Sequence, residues 1–61
     1  MKEALISLKN EYAEKFKAYI SAARILEKVN EELFLECLKK ASGCKLMIEE
    51  YDKMIKQEEN N

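Results

Sequence analysis

Histidine, proline and tryptophan are absent from this chain of 61 residues, which has one glycine and two cysteines. Without histidine, the commonest general base and a frequent metal ligand are missing. Two thiols fall short of the four ligands of a structural zinc site. No serine or cysteine has a candidate base in a recognisable arrangement. We therefore expect no enzymatic activity, no metal and no cofactor.

The two cysteines, Cys37 and Cys44, cannot form an intrachain disulfide if both lie on one helix. Seven residues of helix separate them by about 10.5 Å along the axis, which exceeds the limit of about 7 Å between the Cα atoms of a disulfide. We expect both to act as small apolar core residues. A domain this small usually needs a disulfide, a metal or a partner chain to supplement its core, and the partner chain is the possibility that remains.

Long apolar runs are also missing. No stretch approaches the roughly 18 apolar residues of a membrane-spanning helix, and the N-terminal segment carries Glu3 and soon becomes amphipathic, unlike a signal peptide. These features predict a soluble, cytoplasmic protein without a membrane partner.

Apolar residues make up 48% of the chain and charged residues 38%. This composition is typical of helical, coiled-coil-like chains. The apolar residues recur at alternating steps of four and three, which places them along one side of a helix in a line that we call a seam. The first seam, interrupted only by a lysine, consists of Met1, Leu5, Leu8, Tyr12, Lys15, Tyr19, Ala22, Leu26 and Val29. The second seam consists of Phe34, Cys37, Ala41, Cys44, Ile48, Tyr51 and Ile55.

The change of register between the two seams predicts a turn at about Val29 to Glu32. Asn30 can end the first helix or cap the second, and the acidic residues that follow favour a helix N-terminus. We predict an all-α helical hairpin with two long antiparallel helices over about residues 2–29 and 31–57. Residues 1–57 would form the single domain, and residues 58–61 a frayed acidic tail.

Ser42 and Gly43 are the alternative helix breaker, because glycine in a helix interior is unfavourable. A break there would give three helices. The second seam passes through this dipeptide without a change of phase, however, which favours one continuous helix.

Folding the chain at residue 30 sets large residues of the first helix against small ones of the second. Tyr19 then lies near Ala41, and Phe16 lies near Gly43 and Cys44. This arrangement predicts that the missing side chain of Gly43 admits Phe16 or Tyr19 closely, so that an added methyl group would overpack the contact.

Lys15 is the one charged residue on either seam. It could specify the register or the partner, as buried polar residues do in some coiled coils. The interpretation we favour is that Phe16 takes the core position while Lys15 extends to solvent.

Apolar residues beside the seams exceed what one neighbouring helix can cover, and on a monomer they would be a liability. They are Ile6, Ala13, Ile20, Leu35 and Leu46. We predict that they form a partner or dimer surface, with two hairpins associating as an antiparallel four-helix bundle, or with a heteromeric partner instead. The predicted function is a small protein-protein interaction module, a regulator, inhibitor or assembly factor, that acts as a homodimer and binds an unidentified further protein.

A basic stripe on the outer face of the first helix gives the alternative function, an RNA- or DNA-associating dimer. The stripe consists of Lys2, Lys9, Lys17, Arg24 and Lys28. Such a stripe could contact phosphates. Nearby glutamates dilute it and the chain has a net charge of −1, so nucleic acid is the less favoured partner.

In its length, its inferred layout and the segment Leu26-Glu27-Lys28-Val29-Asn30-Glu31, the chain resembles the Rop-type plasmid RNA-binding hairpins, which dimerise into four-helix bundles. The polar and aromatic residues that contact RNA in that family have no matching positions in this chain. The resemblance therefore implies a layout and no function.

Overall fold

The protein is a helical hairpin, as a computed structural model describes it over residues 1–60. Helix α1 spans Lys2–Leu26 and helix α2 spans Glu31–Asn60. The two helices pack against each other along a molecule 48 Å long, and residues 1–60 contain no strand. The predicted all-α hairpin is thus confirmed.

The turn begins earlier than predicted, because α1 ends at Leu26 and not near Val29. The backbone N–H groups of Val29 and Asn30 both donate to the Leu26 carbonyl oxygen, at 3.0 and 2.9 Å. The Oδ1 atom of Asn30 accepts a hydrogen bond of 3.0 Å from the N–H of Leu33. Asn30 therefore acts as the N-cap of α2, one of the two roles expected of it, and satisfies a donor that the first turn leaves free.

Helix α2 runs without interruption through Ser42 and Gly43, so the three-helix alternative is wrong. The helix also extends beyond the predicted limit of residue 57 and ends at Asn60. Residues 58–60, which we predicted to be a frayed tail, are thus helical, and Asn61 lies outside the described residues. An ion pair of 3.4 Å between Lys2 and Glu59 links the last turn of α2 to the start of α1.

The core between the helices is thin. Among residues 1–60, the buried ones are Ala23, Ala41, Cys44 and Ile55, with exposures of 2%, 2%, 7% and 8%. Each of the last three belongs to the second seam, whose other members are all half-buried. The second seam is therefore confirmed. Both thiols are free, and that of Cys37 is half-buried.

The seam of α1 differs from the prediction at every second position. The buried and half-buried residues that follow the four-three spacing are Leu5, Lys9, Tyr12, Phe16, Tyr19, Ala23 and Leu26. Leu8 and Lys15, which we placed on the seam, are exposed. Apolar residues lie both on the predicted line of α1 and on the line that faces α2. The spacing therefore does not determine which line is buried, and packing against α2 does.

Lys15 lies at the edge of the helix pair, where its ammonium nitrogen is 4.9 Å from the centroid of the Tyr12 ring. Phe16 is half-buried and Lys15 is exposed. The interpretation that Phe16 takes the core position while the lysine reaches solvent is thus confirmed.

Gly43 does not receive a side chain from α1. It is exposed, and a Cβ atom built on it meets nothing within 4 Å. The predicted close approach of Phe16 or Tyr19 is therefore wrong. The physical reason is that Gly43 directly precedes Cys44, and one residue turns the helix by about 100°, away from the seam.

We expect Gly43→Ala to raise the free energy of unfolding by several tenths of a kcal/mol to about 1 kcal/mol, because alanine has the better helix propensity and the added methyl group enters open space. Urea denaturation followed by circular dichroism measures the change. A destabilised variant would show that another group occupies the space beside Gly43.

Candidate interaction surfaces

A charged contact crosses between the two helices beside the core. The Lys9 ammonium donates a hydrogen bond of 2.9 Å to Oδ1 of Asp52, and both side chains are about one third exposed. The other carboxylate oxygen of Asp52 lies 3.4 Å from the ammonium of Lys56. The hydrogen bond from Lys9, followed by that from Lys56, holds the pKa of Asp52 below its ordinary value. This contact places residue 9 of α1 level with residue 52 of α2.

The lowered pKa of Asp52 makes the stability of the hairpin depend on pH. A carboxyl group whose pKa is lower in the folded state stabilises that state above the pKa of the unfolded chain, and the contribution is lost as the pH falls through the folded value. We therefore expect Asp52→Asn to lose less stability than the wild type on acidification from about pH 5 to about pH 2. Urea denaturation over this pH range measures the difference. Glu49→Gln, at an exposed site, is the control, and identical pH profiles for all three proteins would contradict the prediction.

Contacts on the two sides of the helix pair differ and define two faces of the hairpin. Lys9 contacts Asp52 on one side. On the other side, the ammonium of Lys40 lies 6.0 Å from the centroid of the Tyr19 ring. Between them, the rings of Tyr12 and Tyr51 pack in a tilted arrangement with their centroids 5.8 Å apart.

We use the name Lys9 face for the side with the charged contact. Its apolar residues are Ile6, Ala13, Ile20 and Leu38. Ile6 and Ala13 are three and four residues from Lys9, a spacing that places side chains beside each other on a helix. Ile6 and Leu38 are exposed, whereas Ala13 and Ile20 are half-buried. Three of the five predicted surface residues, all on α1, therefore lie on this face.

The other two predicted surface residues, Leu35 and Leu46, lie on the outer side of α2, because eleven residues of helix make three turns and about 20°. Leu35 is 54% exposed, and Leu46, which lies halfway around the helix from the seam of α2, is 62% exposed. Lys39 and Lys53, seven residues to either side of it, share this outer side and are also exposed.

The opposite side, which we call the Met47 face, is also apolar and was missed from the sequence. Its apolar residues are Met1, Leu8, Ala22, Ile25, Val29, Leu33, Met47 and Met54. Ile25 and Val29 are 73% and 77% exposed, and Leu8, Leu33 and Met54 are exposed as well. Leu8 and Val29 had been assigned to the first seam and thus to the core. The spacing of Leu33, Met47 and Met54 at multiples of seven was the signal available in the sequence.

Three of the five residues of the predicted basic stripe pair with carboxylates. Lys2 and Lys9 are engaged by Glu59 and Asp52 of α2. Lys17 lies 3.8 Å from Glu14 within α1. The remaining two, Arg24 and Lys28, are exposed near the turn.

Over residues 1–60 there is no cluster of three or more metal-ligating side chains and no pocket. Neither helix, as far as Asn60, is long and apolar enough to cross a membrane. Comparison of the chain with protein-family models, curated proteins and solved structures finds no match. The exposed apolar faces are therefore the features from which a function can be inferred.

Proposed function

We propose that this protein is a small non-enzymatic protein-protein interaction module, a regulator, inhibitor or assembly factor, that acts as a homodimeric helical hairpin. The observation that carries the proposal is an imbalance between interior and surface. In the part of the chain that the structure describes, four residues are buried and ten large hydrophobic side chains are exposed. A hairpin with so little core of its own gains stability by covering apolar surface with another chain.

Two copies with one apolar face each in contact would form an antiparallel four-helix bundle. The closed symmetry of a homodimer covers the same patch on both copies and leaves the other apolar face of each hairpin for a different protein. Such a module would act in the cytoplasm, where its two thiols stay reduced.

Analytical ultracentrifugation at micromolar concentration tests the dimer. We expect about twice the chain mass of 7.2 kDa, and a melting temperature that rises with protein concentration because association stabilises the folded state. A monomer whose melting temperature does not depend on concentration would contradict the proposal.

Affinity capture from the native cell, with and without nuclease, tests the kind of partner. Protein capture that survives nuclease supports an interaction module. The alternative, a nucleic-acid-associating dimer, would lose its partners on nuclease treatment and would bind with an affinity that falls steeply with salt. Two of the five stripe cations already contact carboxylates of α2, which weakens that alternative.

A further inference from the structure

We propose that the hairpin has a second state, a dimer in which two chains straighten at the turn and exchange their α2 helices. In this state, α1 of each copy packs against α2 of the other copy. The inference goes beyond the proposed function, because this association needs neither apolar face of the hairpin. Three features of the molecule support it: the continuity of its buried residues, the hydrogen bonds of its turn and the symmetry of its contacts.

The buried and half-buried residues of the two helices join into one line through Asn30. The line in α1 ends at Leu26 and the line in α2 begins at Phe34, so Asn30 lies four residues from each. Between Leu5 and Ile55 the steps alternate between four and three residues, apart from the two steps of four at Asn30, and they average about 3.6, the repeat of a straight α-helix. The buried line thus contains no change of register that requires a turn, and a continuous helix would carry the whole line on one face.

The turn retains part of the hydrogen bonding of a helix. The N–H of Asn30 donates to the carbonyl oxygen of Leu26 at 2.9 Å, and the N–H of Phe34 donates to that of Asn30 at 2.9 Å. Both bonds span four residues, as in an α-helix. No residue from 1 to 60 has a positive φ, and residues 27–30 include neither glycine nor proline. Straightening therefore meets no backbone obstacle, and it adds the helical hydrogen bonds that the turn lacks.

The contacts between the helices have the symmetry that an exchange requires. Lys2 pairs with Glu59, and Lys9 pairs with Asp52, so residue n of α1 lies level with residue 61 − n of α2. Two straight chains that lie antiparallel about a two-fold axis between residues 30 and 31 follow the same rule. Each contact of the hairpin is then formed twice in the dimer, between different copies.

Asn30 lies on the buried line beside this two-fold axis, so the two asparagines of the dimer are close to each other. A single asparagine on the buried line of a coiled coil specifies the register and the number of helices. In the hairpin, the same side chain caps α2 by accepting the N–H of Leu33 at 3.0 Å. Asn30 therefore has a role in both states, and its replacement changes the balance between them.

Refolding at high concentration tests the exchange. A short linker holds two segments at an effective concentration on the order of millimolar, so we refold the protein from urea at about 1 mM and separate the dimer by size-exclusion chromatography. Small-angle X-ray scattering then gives its length. The exchanged dimer is expected to be about 88 Å long, because residues 2–60 rise by about 1.5 Å each, whereas two hairpins side by side keep the hairpin length of 48 Å.

Two substitutions at the turn shift the balance in opposite directions. We expect Asn30→Ala to raise the association constant of the long dimer at least about tenfold, because it removes the cap of α2 and favours a continuous helix. We expect Glu31→Pro to lower that constant at least about tenfold, because proline breaks a continuous helix. The hairpin accepts this proline at the first position of α2, where the N–H has no partner within the helix.

The matched controls are Asn10→Ala, at an exposed site within α1, and Glu31→Ala, which removes the same carboxylate without adding a proline. Their association constants should stay within about threefold of the wild type. Circular dichroism at micromolar concentration shows whether each variant still folds as a hairpin.

The possible outcomes separate the exchange from the proposed function. A wild-type protein that forms no dimer at any concentration overturns both. A wild-type dimer with a length near 48 Å overturns the exchange and leaves the homodimer of hairpins standing. A long dimer that Asn30→Ala strengthens and Glu31→Pro weakens supports the exchange. A long dimer that forms equally well in Glu31→Pro overturns it, because those chains are not straight at the turn.

Discussion

Replacing Ile55 with alanine is expected to lower the free energy of unfolding by about 2 to 5 kcal/mol. Ile55 is the largest of the four buried residues in the described part of the chain. Its truncation removes three carbon atoms from contact with α1 and leaves a space that two rigid helices cannot close completely. A loss of this size is a large fraction of the stability of a small domain.

Leu46→Ala provides the matched control for Ile55→Ala, because it removes the same number of carbon atoms from a side chain on the outer side of α2. That side chain is largely exposed, so we expect a change below about 0.5 kcal/mol. Urea denaturation of the three proteins at equal concentration measures both effects. Equal losses in the two variants would contradict the position of the core.

Enlarging Ala41 to leucine is expected to lower the free energy of unfolding by about 1 to 3 kcal/mol, or by more if the helices cannot separate. Ala41 is only 2% exposed, as is Ala23 of α1. Small residues that are so thoroughly covered show that the backbones of the two helices approach closely at these positions. A larger side chain would force the helices apart or adopt an unfavourable rotamer.

Ser42→Leu is the control for Ala41→Leu, because it adds a side chain of the same size one residue further along, at an exposed site. We expect this control to change the free energy of unfolding by less than about 0.5 kcal/mol. Thermal and urea denaturation give both values. Unchanged stability in Ala41→Leu would mean that the helices have room between them at this level.

The sequence predicted α2 better than α1, and the reason lies in how many lines of apolar residues each helix carries. In α2, the four-three spacing from Phe34 to Ile55 is the line that faces α1. In α1, the line through Leu8 and Ala22 is as apolar as the line through Phe16 and Ala23. Spacing alone could not choose between these two lines, because the choice depends on the packing of α2.

The apolar line of α1 that is buried against α2 also determines which apolar residues remain exposed as candidate surfaces. The Met47 face is not predicted, because Leu8 and Val29 fall on the predicted seam and are therefore expected in the core. The α1 residues of the Lys9 face are predicted, because Ile6 and Ile20 lie on neither of the two apolar lines of α1. Gly43 was placed wrongly for a different reason. Its small size is compatible with close packing, but Gly43 lies about 100° around the helix from Cys44 and therefore faces open space.

The short distance between Lys2 and Glu59 brings the first turn of α1 and the last turn of α2 to one end of a narrow rod. A short flexible linker could therefore join the two ends without bending either helix. In such a circularised chain, the unfolded state would have fewer conformations available, so the folded hairpin would gain stability without any change in its core. The turn over residues 27–30, at the other end, is the natural place to reopen the circle as a permuted chain.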